Sequence, residues 1–134
     1  MVLDMTEAPR LDRQVCFALH SASRAATAVY RPVLVDLGLT YPQNLVMLAV
    51  WESEPKGVKE LGEEWRLDSG TLSPLLKRLE AMGLVERRRS GEDECRVAVH
   101  VTPAGRSLSS RASGIPRHLA DAAGLSANRM LVRL

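Results

Sequence analysis

Apolar residues recur every three or four positions between residues 10 and 37, which is the repeat of one face of an α-helix. The stripe consists of Leu11, Val15, Leu19, Ala22, Ala26, Val29, Val33 and Leu37. The predicted helix would be roughly 40 Å long, more than a small domain needs for its own core. This length favours a partner chain along part of the helix.

Two shorter helices are predicted next. Thr40 is a capping residue for the first of them, and Pro42 lies in its first turn, where a missing N–H costs little. This helix is nearly all apolar up to Glu52, so we expect it to be buried. The following segment, residues 52–57, contains a proline and ends the helix. The second short helix is predicted over residues 58–65.

A fourth helix is predicted from Asp68 or Ser69 to Met82, with a leucine-rich apolar face. Pro74 lies inside this span and removes one helical hydrogen bond. Two alternatives follow from it: the regular helix begins only at Ser73, or the first turn is distorted.

After the fourth helix the apolar residues recur at every second position, which is the repeat of a β-strand. The sequences LVERRR and RVAVHV predict two strands on either side of the turn SGEDEC. Thr102 then caps a further helix that reaches about Ser113, and residues 126–134 predict a short terminal helix. No linker divides the chain, so residues 1–134 are predicted to form a single domain. Its fold class is mainly α with a small β-hairpin (α+β).

Two short helices followed by a basic hairpin are typical of a winged helix-turn-helix, in which a helix enters the major groove of DNA and the hairpin, or wing, reaches the minor groove. Short hydroxyl side chains and a glycine can approach DNA closely, and Lys or Arg can bind phosphate or guanine. The candidate DNA-contacting residues are Ser69, Gly70, Thr71, Ser73, Pro74, Lys77 and Arg78 on the fourth helix, and Arg87, Arg88, Arg89 and Arg96 on the hairpin. Any one of them alone is more often a cap or a solvated charge, so the prediction depends on the order of the features.

Composition excludes several other classes of protein. With 46% hydrophobic and 25% charged residues, the 134-residue chain is typical of a globular domain, and its net charge of +2 means that positive charge is local. The longest strongly apolar run, residues 45–51, is too short to span a bilayer, and the first residues do not resemble a secretory signal, so we expect no membrane association and a cytoplasmic protein. Two cysteines, Cys16 and Cys95, make neither a disulfide framework nor a four-ligand zinc site. We therefore predict no cofactor and no metal.

Three segments resemble the MarR family of dimeric bacterial transcription regulators. They are LDSGTLSPLLKRLEAMGLVERRRSGEDE (residues 67–94), LTYPQNLVMLAVWE (residues 39–52) and QVCFALHSASR (residues 14–24), the last being similar to the branch that senses organic hydroperoxides. The resemblance covers residues 10–111. It implies a homodimer formed by N- and C-terminal helices, here residues 10–37 and 103–134. It also implies that residues 40–101 form the winged helix-turn-helix bound to an inverted-repeat operator.

The resemblance also implies a redox sensor. Cys16 matches the single N-terminal cysteine of that branch, which an organic peroxide oxidises to a sulfenate before a disulfide forms with a small thiol or a second protein cysteine, and DNA is released. Tyr30 matches one of two tyrosines near the sensor thiol, and His20 takes the place of the other. Because these residues share one stripe of the helix, they could bond the thiolate within a subunit or across the dimer axis.

Two departures from the family pattern concern the wing and the tail. Cys95 stands where the family has an arginine two positions after an acidic residue, and Arg96, one step further, faces the opposite side of a strand. Cys95 is also not where the family has its resolving thiol. The terminal helix is shorter than usual in the family.

The predicted function is a redox-controlled repressor. One alternative is a repressor controlled by a small phenolic or aromatic ligand between the dimerisation helices and the DNA-binding region, with an inert Cys16. A thiol peroxidase is a second alternative, against which stands the absence of a CxxC motif, a glycine-rich phosphate loop or a metal-ligand cluster. A third is a winged helix that binds protein instead of DNA.

Overall fold

The computed structural model of the chain describes residues 9–89, 91, 96–115, 117 and 121. A 3₁₀ turn over Leu11–Arg13 precedes the regular elements. These are α1 (Val15–Leu37), α2 (Tyr41–Glu52), β1 (Lys56–Gly57), α3 (Val58–Trp65), α4 (Ser69–Ala81), β2 (Val85–Arg89), β3 (Val97–Val101) and α5 (Pro103–Ala112). The predicted fold class, mainly helical with a small β-hairpin, is confirmed. The turn residues 90 and 92–95, including Cys95, and the predicted terminal helix lie outside the described residues.

The first helix begins five residues later than its apolar repeat predicts. Gln14 is extended, with φ −83° and ψ 123°, so it separates the 3₁₀ turn from α1. Leu11 belongs to the turn, and the predicted start near residue 10 is therefore wrong. The helix ends as predicted at Gly38, whose φ of 70° is the left-handed conformation that glycine adopts readily.

The structure excludes one of the two alternatives for α4, a regular helix that begins only at Ser73. The helix begins at Ser69, because the Asp68 carboxylate accepts a hydrogen bond of 2.7 Å from the Thr71 backbone N–H. Pro74 lies inside the helix, where its missing N–H leaves the Gly70 carbonyl without its helical donor. α4 therefore presents a full N-terminal turn.

The hairpin is confirmed, but it belongs to a sheet of three strands in the order β1-β3-β2. β3 pairs antiparallel with β2, with Val101 opposite Val85, and with β1, with Val99 opposite Lys56. β1 lies in residues 52–57, where the sequence predicts only the end of a helix, because two residues cannot show an alternating pattern. This strand joins the wing to the segment between α2 and α3.

The core lies between α2, α4, α5 and the sheet, and α1 reaches it only with its C-terminal end. Leu34 and Leu37 are the buried residues of α1. At the other end Val15 is 73% exposed and Leu19 66% exposed. The prediction that this helix extends beyond its own core is confirmed, since residues 11–26 of its stripe are exposed.

The first turn of α5 is bonded to the end of α2 and to the segment that follows it. The Trp51 indole Nε1 donates to the Gly105 carbonyl at 3.0 Å. The Glu54 carboxylate accepts from the Val101 backbone N–H at 2.9 Å and from Arg106 at 2.7 Å. The Val101 bond, with Arg106, lowers the pKa of Glu54, so this carboxylate stays ionised at neutral pH.

Candidate DNA-binding and redox sites

α4 divides its residues between a buried leucine face and an exposed polar face. Leu72, Leu76 and Leu79 are buried. The exposed candidates are Ser69, Gly70, Thr71, Pro74, Lys77 and Arg78, while Ser73 is half-buried. All but one of the sequence-predicted residues of this helix therefore lie on a surface that DNA can reach.

The N-terminus of α4 and the base of the wing share one surface. An open groove of about 1160 Å³ lies between α3, the start of α4 and β3, and both Ser69 and Arg96 line it. Hydrogen bonds from Thr71 lower the pKa of Asp68, which lines the same groove. The groove thus brings together one candidate DNA-contacting residue of α4 and one of the wing.

The three consecutive arginines of β2 have different environments. Arg87 binds Glu80 of α4, and both side chains are less than one-third exposed. Arg88 forms an exposed pair with Glu86 at 2.9 Å. Because alternate residues of a strand face opposite sides, Arg88 faces away from Arg87 and Arg89. The arginine run is therefore not one uniform basic patch.

Cys16 and His20 are neighbours on one side of α1, but Tyr30 is distant from both. Cys16 is exposed, and His20, one turn further along, is also exposed. Tyr30 follows Cys16 by fourteen residues, which at 1.5 Å per residue separates them by about 21 Å. The expectation that Tyr30 could bond the Cys16 thiolate within one subunit is therefore wrong, and contact between them requires a second chain.

Tyr30 packs against Tyr41, the first residue of α2, with ring centroids 5.2 Å apart. Burial, with a contribution from Tyr41, raises the pKa of the Tyr30 phenol, so this hydroxyl remains a hydrogen-bond donor at neutral pH. The sequence analysis did not single out Tyr41. The signal that could have found it is a tyrosine at a helix start in a chain with only 4% aromatic residues.

A small cavity of about 50 Å³ adjoins the two tyrosines. Its lining consists of Tyr30, Tyr41, Asn44, Leu45, Leu48 and Ile115. Asn44 is 1% exposed, and its Oδ1 has no hydrogen-bond partner among the residues that the structure describes. A buried polar atom without a partner costs about 1–3 kcal/mol, so this oxygen is a potential acceptor for a bound group. The sequence analysis missed Asn44, because an asparagine inside an apolar helix gives no sign of its partner.

The described residues offer no site for a metal ion, since no three His, Cys, Asp or Glu side chains cluster among them. Within the same residues no single helix is long and apolar enough to cross a bilayer. α1 and α2 meet that test of length and composition only as a pair bent by 73°.

Comparison with known proteins finds a family model and two relatives that are all described as transcriptional regulators. Residues 28–112 match the family model for the transcriptional regulator SarA/Rot. The chain is 48% identical over 107 residues to the organic hydroperoxide resistance transcriptional regulator of Bacillus subtilis, which covers 80% of this chain and 73% of that protein. It is 46% identical over 116 residues to the HTH-type transcriptional regulator TtmR of Methylorubrum extorquens, covering 87% of this chain but only 60% of that relative.

A solved structure is also similar. The overoxidised AbfR of Staphylococcus epidermidis, crystallised with DNA, is 33% identical with a TM-score of 0.72. The match covers 84% of this chain and 81% of that one. The relatives named here are regulators of transcription and not enzymes.

Proposed function

The chain belongs to the SarA/Rot and MarR-type winged-helix transcriptional regulators, and we propose that it is a cytoplasmic repressor that releases its operator when an organic hydroperoxide oxidises Cys16. DNA binding and regulation of transcription follow from the family itself. The observation that carries the redox proposal is an exposed Cys16 on the part of α1 that lies outside the core. The regulator from Bacillus subtilis, which is named for organic hydroperoxide resistance, supports the choice of effector.

We propose that the exposed half of α1 pairs with a second copy of this chain. It carries the large apolar side chains Val15 and Leu19 one turn apart on one side, and a soluble monomer would leave them in water. Antiparallel pairing about Ser23 buries them and brings Cys16 level with the partner's Tyr30, since each lies seven residues from Ser23. A two-fold dimer also places two recognition helices on an inverted repeat.

The proposed chemistry begins with the ionised sulfur of Cys16. The thiolate attacks the terminal oxygen of the hydroperoxide, the O–O bond breaks, and the alcohol leaves after taking up a proton. The cysteine is left as a sulfenic acid. A low-molecular-weight thiol, or a second protein cysteine, can then displace the hydroxyl as water and form a disulfide.

Oxidation of Cys16 would weaken DNA binding by changing the arrangement of the dimer. A bulkier, more polar group at a packed seam between two copies of α1 changes how the copies fit together. The recognition helices would then no longer match the fixed spacing of the operator half-sites. The protonated Tyr30 phenol of the partner and His20 would stabilise the reduced thiolate by hydrogen bonding.

We expect the salt dependence of the binding constant to show that α4 contacts DNA. Lys77→Ala should weaken binding severalfold to a duplex selected by the wild-type protein from a random pool. It should also reduce the slope of log K against log salt by about one, because one phosphate contact is lost. Fluorescence anisotropy over a salt series measures both quantities.

The control for this prediction is Arg31→Ala, which removes an exposed charge from α1 instead of α4. It should leave the slope unchanged. Equal slopes for the wild-type protein and Lys77→Ala would remove Lys77 from the interface, and a wild-type affinity independent of salt would contradict DNA binding by this surface.

The cavity beside Tyr30 favours a second candidate function, control by a phenolic ligand. Asn44 supplies an unpaired acceptor and the lining is otherwise aromatic or aliphatic, which suits a ring with one hydroxyl. At about 50 Å³ the cavity is smaller than a benzene ring requires, so the pocket would have to widen. This is why we place it second.

The second candidate predicts that salicylate raises the melting temperature of the wild-type protein but not of Asn44→Leu, which removes the acceptor. Differential scanning fluorimetry gives the comparison, with benzoate, which lacks the phenolic hydroxyl, as the control ligand. If salicylate does not shift the wild-type melting temperature, the phenolic candidate fails and the oxidation proposal stands alone.

A further inference from the structure

Arg87, in strand β2 of the wing, contacts Glu80 of α4 through three of its nitrogen atoms. Arg87 donates from its backbone N–H to Glu80 Oε1 at 2.9 Å and from its Nε to Glu80 Oε2 at 2.9 Å. A second guanidinium nitrogen, Nη2, lies 2.8 Å from Oε2. Both carboxylate oxygens are therefore used, and one of the bonds goes to the main chain of β2.

The Glu80–Arg87 pair lies where it can fix the orientation of the wing relative to α4. Glu80 lies in the last turn of α4 and Arg87 is the third residue of β2, and the chain between them reverses at Gly83, where φ is 73°. Gly83 donates to the Glu80 carbonyl at 2.9 Å, which closes the turn on the helix side. The Glu80–Arg87 pair then holds β2 on the other side of the turn. The angle between α4 and β2 is therefore fixed by hydrogen bonds on both sides of Gly83.

The second acid–arginine pair of the same strand is built differently. Glu86 and Arg88 are 55% and 58% exposed, are two residues apart, and bind each other within one strand. Glu80 and Arg87 are 29% and 28% exposed and join two elements. Two guanidinium nitrogens on one oxygen of a partly buried carboxylate, together with a main-chain N–H on the other oxygen, restrict the geometry more than an exposed pair does.

We propose that Glu80 is a positioning residue for DNA binding. It holds β2 at the angle at which the wing and α4 reach neighbouring grooves of one duplex. Arg87 therefore binds within the protein, and the DNA contacts of this strand come from the exposed Arg88 and Arg89, which face opposite sides of the wing and so reach opposite walls of the groove. This inference builds on the DNA binding of the proposed function and is independent of Cys16.

The sign of the effect separates positioning from simple electrostatics. Glu80 is an anion beside a surface proposed to bind phosphates, so removing its charge should tighten DNA binding if charge alone matters. If Glu80 positions the wing, its removal should instead weaken binding to a specific duplex, because a wing free to tilt loses its contacts.

The test compares Glu80→Gln with Glu86→Gln, which makes the same charge change on the exposed pair. The probes are the duplex selected by the wild-type protein and a scrambled duplex of equal composition. For Glu80→Gln we expect about tenfold weaker binding to the selected duplex and a salt slope lower by about two, as Arg88 and Arg89 disengage. Binding to the scrambled duplex should be unchanged or tighter. Glu86→Gln should lose no affinity for either duplex.

Hydroxyl-radical footprinting supplies a readout that a general loss of stability would not produce. Glu80→Gln should lose hydroxyl-radical protection of the minor-groove sugars beneath the wing while keeping the protection of guanine N7 from dimethyl sulfate in the major groove beneath α4. Arg87→Lys removes the two guanidinium contacts to Oε2 but keeps the charge and the main-chain bond to Oε1, so it should show the same losses to a smaller degree, and it serves if Glu80→Gln does not fold. Wild-type affinity in both Glu80→Gln and Arg87→Lys, or equal losses in Glu80→Gln and Glu86→Gln, overturns the inference. Failure of the wild-type protein to bind any duplex would instead overturn the proposed function.

Discussion

Replacing Cys16 by serine is expected to leave the protein bound to DNA after treatment with an organic hydroperoxide that releases the wild-type protein. Serine keeps the size of the side chain but cannot form a sulfenic acid or a disulfide. For the wild-type protein we expect oxidation to weaken DNA binding about 50-fold, within the range of coupling free energies of about 1–3 kcal/mol typical of allosteric proteins. For Cys16→Ser the change should be less than about twofold. Anisotropy with the selected duplex, before and after cumene hydroperoxide, measures both.

The matched control is Cys95→Ser, the other cysteine of the chain. It should release DNA as the wild-type protein does, because the proposal assigns the first oxidation to Cys16. If Cys16→Ser lets go of the duplex as readily as the wild-type protein, Cys16 is not the sensor. If both single variants stay bound, two cysteines are needed and Cys95 completes the disulfide.

Replacing Gly105 by alanine is expected to be the most destabilising single-methyl change in the described part of the fold. A Cβ at this position would lie 2.1 Å from the Leu84 carbonyl oxygen and 3.0 Å from Val101 Cγ1. The Leu84 carbonyl also accepts from the Thr102 backbone N–H at 3.1 Å, so it cannot move without breaking the link between sheet and helix. Overpacking usually costs about 1–3 kcal/mol, and a backbone obstacle places this substitution at about 3 kcal/mol. Urea denaturation at fixed protein concentration measures the free energy of unfolding.

Gly114→Ala adds the same methyl group where no atom of the described residues lies within 4 Å, so it controls for the change of residue type. It should alter the free energy of unfolding by less than about 0.5 kcal/mol. Equal stability of the two variants would mean that α5 does not sit against Leu84 as described.

Local patterns predicted most of the fold. The Thr40 cap was predicted from its hydroxyl and from the proline two residues later, and the structure adds Gln43, which completes a capping box. The hairpin was predicted because its residues alternate. β1 was missed and the start of α1 misplaced for one reason: a two-residue strand and an extended Gln14 depend on contacts or on backbone geometry that no repeat encodes.

The candidate site was predictable only in part, because its function depends on residues that are distant in sequence. Residue types placed candidates on the exposed face of α4, but they could not show that Arg87 is bound to Glu80. Cys16 and Tyr30 share one stripe of the predicted helix, but their spacing of fourteen residues already implies about 21 Å of helix, so their separation could have been predicted. Asn44 was missed because its buried oxygen becomes notable only when the packing around it is known.

The most direct test of the account follows the oxidation state of Cys16 and DNA binding in the same samples. The protein is titrated with less than one equivalent of cumene hydroperoxide in the presence of a small thiol. Peptide mass mapping gives the modified fraction of each cysteine, and anisotropy gives the bound fraction of the duplex. We expect loss of binding to rise in step with modification of Cys16. Release of DNA while Cys16 remains a free thiol, or full modification of Cys16 with the duplex still bound, would contradict the account.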